Sequence, residues 1–395
     1  MTKKKIIRSA TIPLSLKTFL NGYIEPLKEK YDLVLLSSPG KELSELHEMH
    51  NVKTIGVPME RHISLIKDIK SFIRLIQVFR KEKPYMVHSM TPKAGLLCMV
   101  AAWIARVPKR VHTFTGLVWP TAIGMKRRIL MLTDKTLCAC ATHIVPEGQG
   151  VLNDLKNFRI CKKPMKVLGY GNVRGVDLEF WNSKEFQISG SKFQEVKELK
   201  ERLGLINTFT FLFVGRLVGE KGINELVEAF IMLKEYFLHL NNGQEVRLLL
   251  LGPTEDELDP LKPKTLDRIK TTPSIIEVGP IWGAEILKYY AASDCFVFPS
   301  YREGFPNTVL EAGAMGLPSI VTDINGSREI IEEGKNGLIV LAKDTHGLYE
   351  AMREMVENVP KRKAMAEISR SMIESRFEQR FVRNCLLEFY DEIMK

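Results

Sequence analysis

The 395-residue sequence contains no run of about 18 apolar residues, so it offers no candidate for a membrane-crossing helix. The opening stretch MTKKKIIRSATIPLSLKTFL has a basic start and an apolar run. Lys17 interrupts that run and no small-residue cleavage site follows, so it reads as a first strand, KIIRSAT, entering a loop rather than as a secretion signal. Cysteine is scarce: six residues, at 98, 138, 140, 161, 295 and 385, with no CxxC spacing and no matching His pairs. That argues against a zinc site and suits free thiols in a reducing cytosol. Cys138-x-Cys140 reads as packing. Helix-turn-helix, RNA-binding aromatic ribbon and zinc-finger patterns are all missing, which argues against nucleic acid as a partner. The phosphate loop GxxxxGK[ST] is absent too, and Gly215, Gly219 and Gly222 do not fit GxGxxG.

What is present is a chain too long for one compact core and suited to two domains. Hydrophobic residues make up 45% and charged residues 26%, enough for sizeable cores under a polar surface. Charge is unevenly spread. Residues 1–180 hold 30 Lys and Arg against 14 Asp and Glu, a net of +16; the remainder holds 27 against 33, a net of −6. A basic half suits an anionic membrane face or a phosphorylated substrate better than a neutral partner. Two basic stretches, RHISLIKDIKSFIRLIQVFRKEK (61–83) and GMKRRILMLTDK (124–135), also carry apolar residues. They read as amphipathic helices packed on a sheet with solvated basic faces, or as membrane-surface elements, and the two can coexist.

Short β-rich runs alternate with helical patterns. Strands are predicted at 5–11, 31–38, 52–57, 85–90, 110–116, 142–147 and 166–171, with helices at 15–30, 62–82, 93–107 and 124–140. The stretch 175–206 is charged and reads as irregular, with a linker near 172–190. The pattern then restarts, with strands at 209–215, 246–252, 274–279, 295–300, 318–322 and 337–340. Helices are predicted at 224–237, 254–271, 284–292, 307–315 and 327–333, and again across 345–395. Apolar runs without strict alternation suit parallel strands buried on both faces. The expected fold is α/β: two doubly wound, Rossmann-like parallel-sheet domains facing across a cleft. Their expected limits are a basic domain at 1–180, a second at 181–375, and a final helix at 376–395 crossing back to the first. Ligands of open parallel sheets sit beyond the carboxyl ends of the strands.

Two stretches at such ends carry chemistry. In FVGRLVGEKG (213–222) a strand runs into Gly215, Arg216 and a loop ending in Lys221-Gly222 before a helix. Arg offers a planar fork to phosphate oxygens and Lys a compact charge, a pair suited to a diphosphate. Two surface cations on a loop would look the same from these residues alone. In CFVFPSYREGFPNTVLEAGAMGLP (295–318) a strand is followed by a loop with Glu303, Gly304 and Pro306, and by a helix carrying Glu311. Pro306 fits the first turn of a helix, whose free N–H groups make an anion site. Gly304 allows close backbone approach, and carboxylates accept hydrogen bonds from hydroxyl pairs. Amides for phosphate beside carboxylates for hydroxyls describe a receptor for a sugar nucleotide. A capped helix with two surface glutamates remains the alternative from this stretch alone.

E-G-F-P-N-x3-E-A-G-A-x-G-x-P (303–318) resembles the E-x7-E motif of the retaining nucleotide-sugar glycosyltransferases of family 4, which have the GT-B fold. VGRLVGEKGINELVEAF (214–230), GNVRGVDLEFW (171–181), IIEVGPI (275–281), YYAASDCFVFPS (289–300) and DINGSREIIEEGKNGLIV (323–340) resemble further segments of that family, in the same order. The resemblance is strong over 205–345. At lower specificity, VHSMTPKAGLLCMVAAWIARVPKRVHTFTGL (87–117) resembles members that build capsular, exopolysaccharide or O-antigen repeats on a lipid diphosphate carrier. Two features depart from those relatives: Thr115 stands where many carry a His, and Ile12-Pro13-Leu14-Ser15 replaces a glycine pair in the first loop.

The resemblance implies a role for each matching residue. Arg216 and Lys221 would hold the donor diphosphate and offset charge on the departing nucleotide. The amides of Phe305, Asn307 and Thr308 would line the phosphate and sugar. Glu303 and Gly304 would meet the donor sugar and Glu311 the ribose hydroxyls. Gly279, Pro280 and Ile281 would form the nucleobase loop. His88, Lys93 and Thr115 would lie on the acceptor side, with His112 or His88 taking over any catalytic part of the missing histidine. Both histidines are expected at strand ends facing the cleft. No metal and no cofactor is implied, because Arg and Lys supply the positive charge. The implied enzyme is a cytoplasmic glycosyltransferase, peripheral on the inner face of the cell membrane. It would move a sugar from a nucleotide-diphosphate donor, by family frequency a UDP-sugar, to a glycan on a polyprenyl diphosphate. A sugar-nucleotide epimerase of the same fold, or a non-catalytic nucleotide-sugar-binding assembly subunit, remains open at this point.

Overall fold

The computed structural model describes residues 3–60, 64–187, 190–255 and 259–395. The chain forms two units, Met1–Gly175 with Gln379–Lys395, and Val176–Glu378.

The first unit is built on six parallel strands: β1 (Lys5–Ser9), β2 (Asp32–Ser37), β3 (Lys53–Gly56), β4 (Met86–Met90), β5 (Lys109–Phe114) and β6 (His143–Pro146). Their order is β3-β2-β1-β4-β5-β6. The inner strands read KIIRS, DLVLLS and MVHSM and are buried almost throughout, as a sheet covered on both faces requires. Right-handed crossovers send the helices that follow β3, β4 and β5 to one face and those that follow β1 and β2 to the other. The core divides accordingly. Leu75, Phe79, Ala101 and Leu137 pack on one side, from the helices Leu65–Glu82, Pro92–Ile104 and Gly124–Cys140. Leu16, Ile24 and Leu43 pack on the other, together with Leu386, Phe389 and Tyr390 of the helix Gln379–Met394.

The second unit repeats the plan with β7 (Thr208–Val214), β8 (Glu245–Leu251), β9 (Ile275–Gly279), β10 (Cys295–Phe298), β11 (Ser319–Thr322) and β12 (Gly337–Val340). Their order is β12-β11-β10-β7-β8-β9, all pairs parallel. Phe211, Phe213 and Phe296 are fully buried, and the Phe213 and Phe298 rings stack with centroids 5.8 Å apart. Truncating one such ring to alanine costs about 3–5 kcal/mol. Strand order reverses between β10 and β7, so a crevice for ligands opens at the carboxyl ends of those two strands.

Several elements differ from their sequence prediction. The helix predicted over 15–30 is two, Pro13–Leu20 and Ile24–Lys30, separated at Asn21-Gly22 by a left-handed glycine. The strand predicted at 166–171 does not form. Gly169 and Gly171 both have positive φ, and pairing stops at an isolated bridge between Ile144 and Met165. Helices Lys41–His50 and Ser191–Arg202 were not foreseen. Each buries a short apolar row, Leu43 and Leu46 in one and Val196 and Leu199 in the other. The helix predicted over 62–82 begins at Leu65, and that predicted over 254–271 begins at Pro263. Residues 61–63 and 256–258 lie outside the described residues.

Candidate active site

Past β7, Gly215 and Arg216 turn across the end of β8: Gly215 N–H donates to Leu251 O at 2.9 Å and Leu217 N–H to Pro253 O at 2.8 Å. A single 3-10 turn, Gly219–Lys221, follows. Gly222 then enters the helix Ile223–Leu240 with φ of 73°, and a Cβ there would lie 2.1 Å from Pro299 O. Only glycine meets both conditions, and this close approach sets the Arg216–Lys221 loop against the loop after β10.

That second loop runs from Pro299 to Pro306 and enters the helix Asn307–Ala314. Pro306 sits at the N-cap, one residue before the predicted first turn, with φ −74° and ψ 108°. Asn307 and Thr308 are therefore the first two helical residues, where backbone N–H groups have no intrahelical acceptor. Phe305 is buried and its ring lies 5.4 Å from that of Phe377, so its side chain belongs to the core. Glu311 is 7% exposed, one turn into the helix.

Lys221, Arg216 and Arg302 at this edge each meet a carboxylate. Lys221 Nζ donates to Glu303 Oε1, and Ser300 Oγ donates to the same oxygen at 2.8 Å. Arg216 Nη1 donates to Glu255 Oε2, and Nη2 donates to Glu220 Oε1 at 3.0 Å. Arg302 Nη2 donates to the other oxygen of Glu220, also at 3.0 Å. Burial would raise the Glu220 pKa, but Arg302, Lys221 and Arg216 outweigh it and hold the carboxyl below its ordinary value. Burial likewise opposes the Arg216 charge, and Glu255 and Glu220 more than offset it.

Gly279 ends β9 with φ of 84°, and its carbonyl accepts from Gly252 N–H at 3.0 Å. Pro280 and Ile281 follow at the same edge of the sheet. Two strand spacings, about 10 Å, separate that loop from Arg216.

The structure thus brings together Arg216, Lys221, Glu303, Gly304, Phe305, Asn307, Thr308 and Glu311 at the β7/β10 switch point, with Gly279, Pro280 and Ile281 farther along the same edge. Glu220, Glu255, Ser300 and Arg302 belong to the same network and were missed. Glu220 and Arg302 each adjoin a residue that was singled out, and that adjacency was a usable signal. Glu255 lies 39 positions from Arg216, and nothing in the sequence joins them.

His88, His112, Lys93 and Thr115 lie in the first unit. The expectation that the two histidines stand at strand ends is corrected: both are mid-strand and 1% exposed. His88 bonds Tyr390 OH through Nδ1 and Thr113 Oγ1 through Nε2 at 2.7 Å, and His112 Nδ1 pairs with Ser89 Oγ at 2.9 Å. Burial pushes His112 down to about 3. Burial and the nearby Arg8 cation push His88 well below its ordinary value. Both rings are neutral partners in the sheet, and neither stands where a ligand would meet it. Lys93, second in the helix Pro92–Ile104, pairs with Asp68 at 2.7 Å. Thr115 is half-exposed just past β5.

Among the described residues no group of three or more His, Cys, Asp and Glu could hold a metal ion, and no helix is long and apolar enough to cross a membrane.

Comparison with known proteins places this geometry. The family described as "Glycosyl transferases group 1" matches residues 195–372, and "Glycosyltransferase Family 4" matches 26–179. The chain is 30% identical over 398 residues to the capsular polysaccharide biosynthesis glycosyltransferase CapM of Staphylococcus aureus, covering all of this chain and 99% of that one. It is 31% identical to the UDP-Gal:alpha-D-GlcNAc-diphosphoundecaprenol alpha-1,3-galactosyltransferase of Escherichia coli, over 84% of this chain and 81% of the other. Among solved structures, Anabaena Alr3699/HepE in complex with UDP and glucose superposes with a TM-score of 0.77 at 17% identity, covering 98% of this chain and all of that one. The two parallel six-stranded sheets are those of the GT-B fold, and the chain belongs to the group 1, family 4 glycosyltransferases.

Proposed function

We propose that this enzyme transfers a sugar, with retention of anomeric configuration, from a UDP-sugar to a glycan carried on a polyprenyl diphosphate, in the building of a surface polysaccharide. One observation carries the reading: Arg216, Lys221 and the N-terminus of Asn307–Ala314 share one carboxyl edge at the switch point, with Glu303 bonded to Lys221. Cations and the amides of a helix N-terminus suit a diphosphate, and the adjacent carboxylate suits sugar hydroxyls. The UDP base and the lipid-linked acceptor are supported by the E. coli relative that uses UDP-Gal and a diphosphoundecaprenol acceptor, and by UDP in the Anabaena structure.

In this reading Arg216 and Lys221 hold the diphosphate while the amides of Asn307 and Thr308 line it. Glu303 takes donor sugar hydroxyls, Glu311 the ribose, and Gly279–Ile281 the base. The bond between the anomeric carbon and the phosphate oxygen breaks as the acceptor oxygen attacks on the same face. The leaving phosphate takes the acceptor proton. Stabilising charge on that phosphate is the largest catalytic contribution. Lys93 and Thr115 remain assigned to the acceptor side, and no chemical step is assigned to His88 or His112.

The membrane partner is read from two helices of the first unit. Leu65–Glu82 exposes Ile66, Ile69 and Ile73, and Gly124–Cys140 exposes Met125, Ile129 and Leu132. Lys67, Lys70 and Arg74 flank the first row, and Lys126, Arg128 and Lys135 the second. Apolar rows beside cations suit an anionic lipid surface.

The test is transfer of labelled sugar from UDP-sugars to a polyprenyl-diphosphate glycan. Arg216→Ala and Lys221→Ala should each lower kcat by about 100- to 1,000-fold and abolish the rise in Tm that UDP gives the wild type. Full activity in both variants, or isomerisation of the donor without acceptor, would sink the reading.

A further inference from the structure

We propose that Glu255 is the counter-ion that occupies Arg216 in the absence of donor and yields it to the donor diphosphate, so that Glu255 sets how tightly and how selectively the site takes a nucleoside diphosphate. This rests on the donor reading above.

Both outer nitrogens of Arg216 are engaged, Nη1 by Glu255 and Nη2 by Glu220. A guanidinium grips phosphate through such a pair of N–H bonds. The fork is therefore already filled with carboxylate oxygen, and phosphate must replace at least one of the two.

The two carboxylates are not equivalent. Glu220 is fixed by its backbone and its side chain together: its N–H donates to Asp259, its carbonyl accepts from Tyr301 N–H at 2.8 Å, and its second carboxylate oxygen holds Arg302. Moving its carboxylate would break the bond to Arg302 as well as that to Arg216, and the backbone bonds hold its Cα in place. Glu255 lies in the loop past β8, and among the described residues its carboxylate bonds Arg216 and nothing else. It leaves without stranding a second cation. Once it has gone, Glu220 still orients the guanidinium through Nη2.

Charge favours the exchange. Arg216, Lys221 and Arg302 are matched one for one by Glu220, Glu255 and Glu303. A diphosphate entering this balanced set adds uncompensated negative charge unless a carboxylate withdraws. Lys221 has no such labile partner, since Ser300 also anchors Glu303. Glu255 is thus the group with which the donor competes. A ligand with too little negative charge does not displace it, which favours diphosphates over monophosphates and nucleosides.

The experiment is calorimetric titration of UDP and UMP into the wild type, Glu255→Gln, Glu255→Asp, Arg216→Ala and the Arg216→Ala/Glu255→Gln double variant. Glu255→Gln should bind UDP about two- to fivefold tighter than the wild type, the size of one partly exposed charge pair. The ratio of UDP to UMP affinity should fall. Glu255→Asp keeps the charge but draws it back from the guanidinium, and should shift affinity in the same direction by less. In the Arg216→Ala background the substitution should have no effect. Unchanged or weaker UDP binding by Glu255→Gln, or an equal gain without Arg216, overturns the exchange; if Arg216→Ala still weakens UDP binding, the donor-site reading survives. If the wild type binds neither UDP, GDP nor ADP, both fall.

Discussion

At the scale of single residues, the buried histidines make a testable statement about pH. His112 in the fold protonates only near 3, and His88 is also held far below its ordinary value. Unfolding returns both to about 6.5. Below that pH the unfolded chain binds protons the native sheet refuses, so stability falls as pH drops from about 6.5 towards 3. The slope is up to about 1.4 kcal/mol per pH unit for each ring. Asp134 acts in the opposite sense: burial pushes its carboxyl up to about 7, so its contribution is present at low pH and lost as pH rises towards 7. Urea midpoints between pH 7 and 5 should therefore fall on acidification. His112→Asn should flatten the profile and Asp134→Asn should steepen it. A profile unaltered by His112→Asn would mean that this ring titrates normally in the fold. These histidines also show where sequence reasoning stops. VHSM and RVHTF place them in strands, but residue identity does not tell a mid-sheet hydrogen-bonder from a group at the strand mouth. Arg216 and Lys221 were legible because each lies within a few residues of a strand end and a glycine. Of their carboxylate partners, Glu303 was legible for the same reason and Glu220 lies four residues from Arg216, but Glu255 is distant in sequence.

At the scale of elements, alternation of apolar runs with helical periodicity identified all twelve strands, because parallel strands buried on both faces cannot avoid being apolar. The helix Gln149–Asn157, which buries Val151, Leu152 and Leu155, was missed as well; two other missed helices share a cause. The helix Lys41–His50 buries only two leucines, and Ser191–Arg202 only Val196 and Leu199, too little apolar signal to stand out from a charged surface. Conversely, KVLGYG looks like a strand until its two glycines take positive φ. Glycine at strand ends was the more useful mark: Gly215, Gly252 and Gly279 close β7, β8 and β9, and their backbones hydrogen-bond across the edge. Gly222 ties the loop after β7 to the loop after β10, and Gly222→Ala should show it. The added Cβ meets Pro299 O, and the left-handed φ costs a further 1 kcal/mol or so. We expect a lower Tm together with loss of the UDP-induced rise in Tm. Retention of both would mean the two loops are not held by this approach.

At the scale of the whole molecule, the charge division seen in the sequence has a physical address. Of the acidic residues in the three helices that cover one face of the first unit, Asp68 is paired with Lys93, Glu82 is bonded to Lys5 and Lys53, and Asp134 is half-buried with its carboxyl pushed up to about 7. The exposed charge of that face is therefore basic. Vesicles containing phosphatidylglycerol should bind the protein, neutral phosphatidylcholine vesicles should bind it weakly, and salt should weaken the first. Lys126→Glu/Arg128→Glu should lower binding by electrostatics, and Ile69→Ser/Ile73→Ser should lower it even at low salt. Binding indifferent to both pairs would remove these helices from contact with lipid.

The helix Gln379–Met394 gives the first unit a dependence on time. Arg8, in its central β1, is 3% exposed and donates to Tyr390 OH at 2.9 Å, as well as lying against Met90. Tyr390 leaves the ribosome only after the whole of Val176–Glu378 has been made. Until then that face of the sheet is covered only in part, by the helices that carry Leu16, Ile24 and Leu43, and the Arg8 guanidinium lacks its Tyr390 partner. The first unit thus receives its last helix only after the second unit has been made, and during translation the second can be complete while the first still waits for that part of its cover.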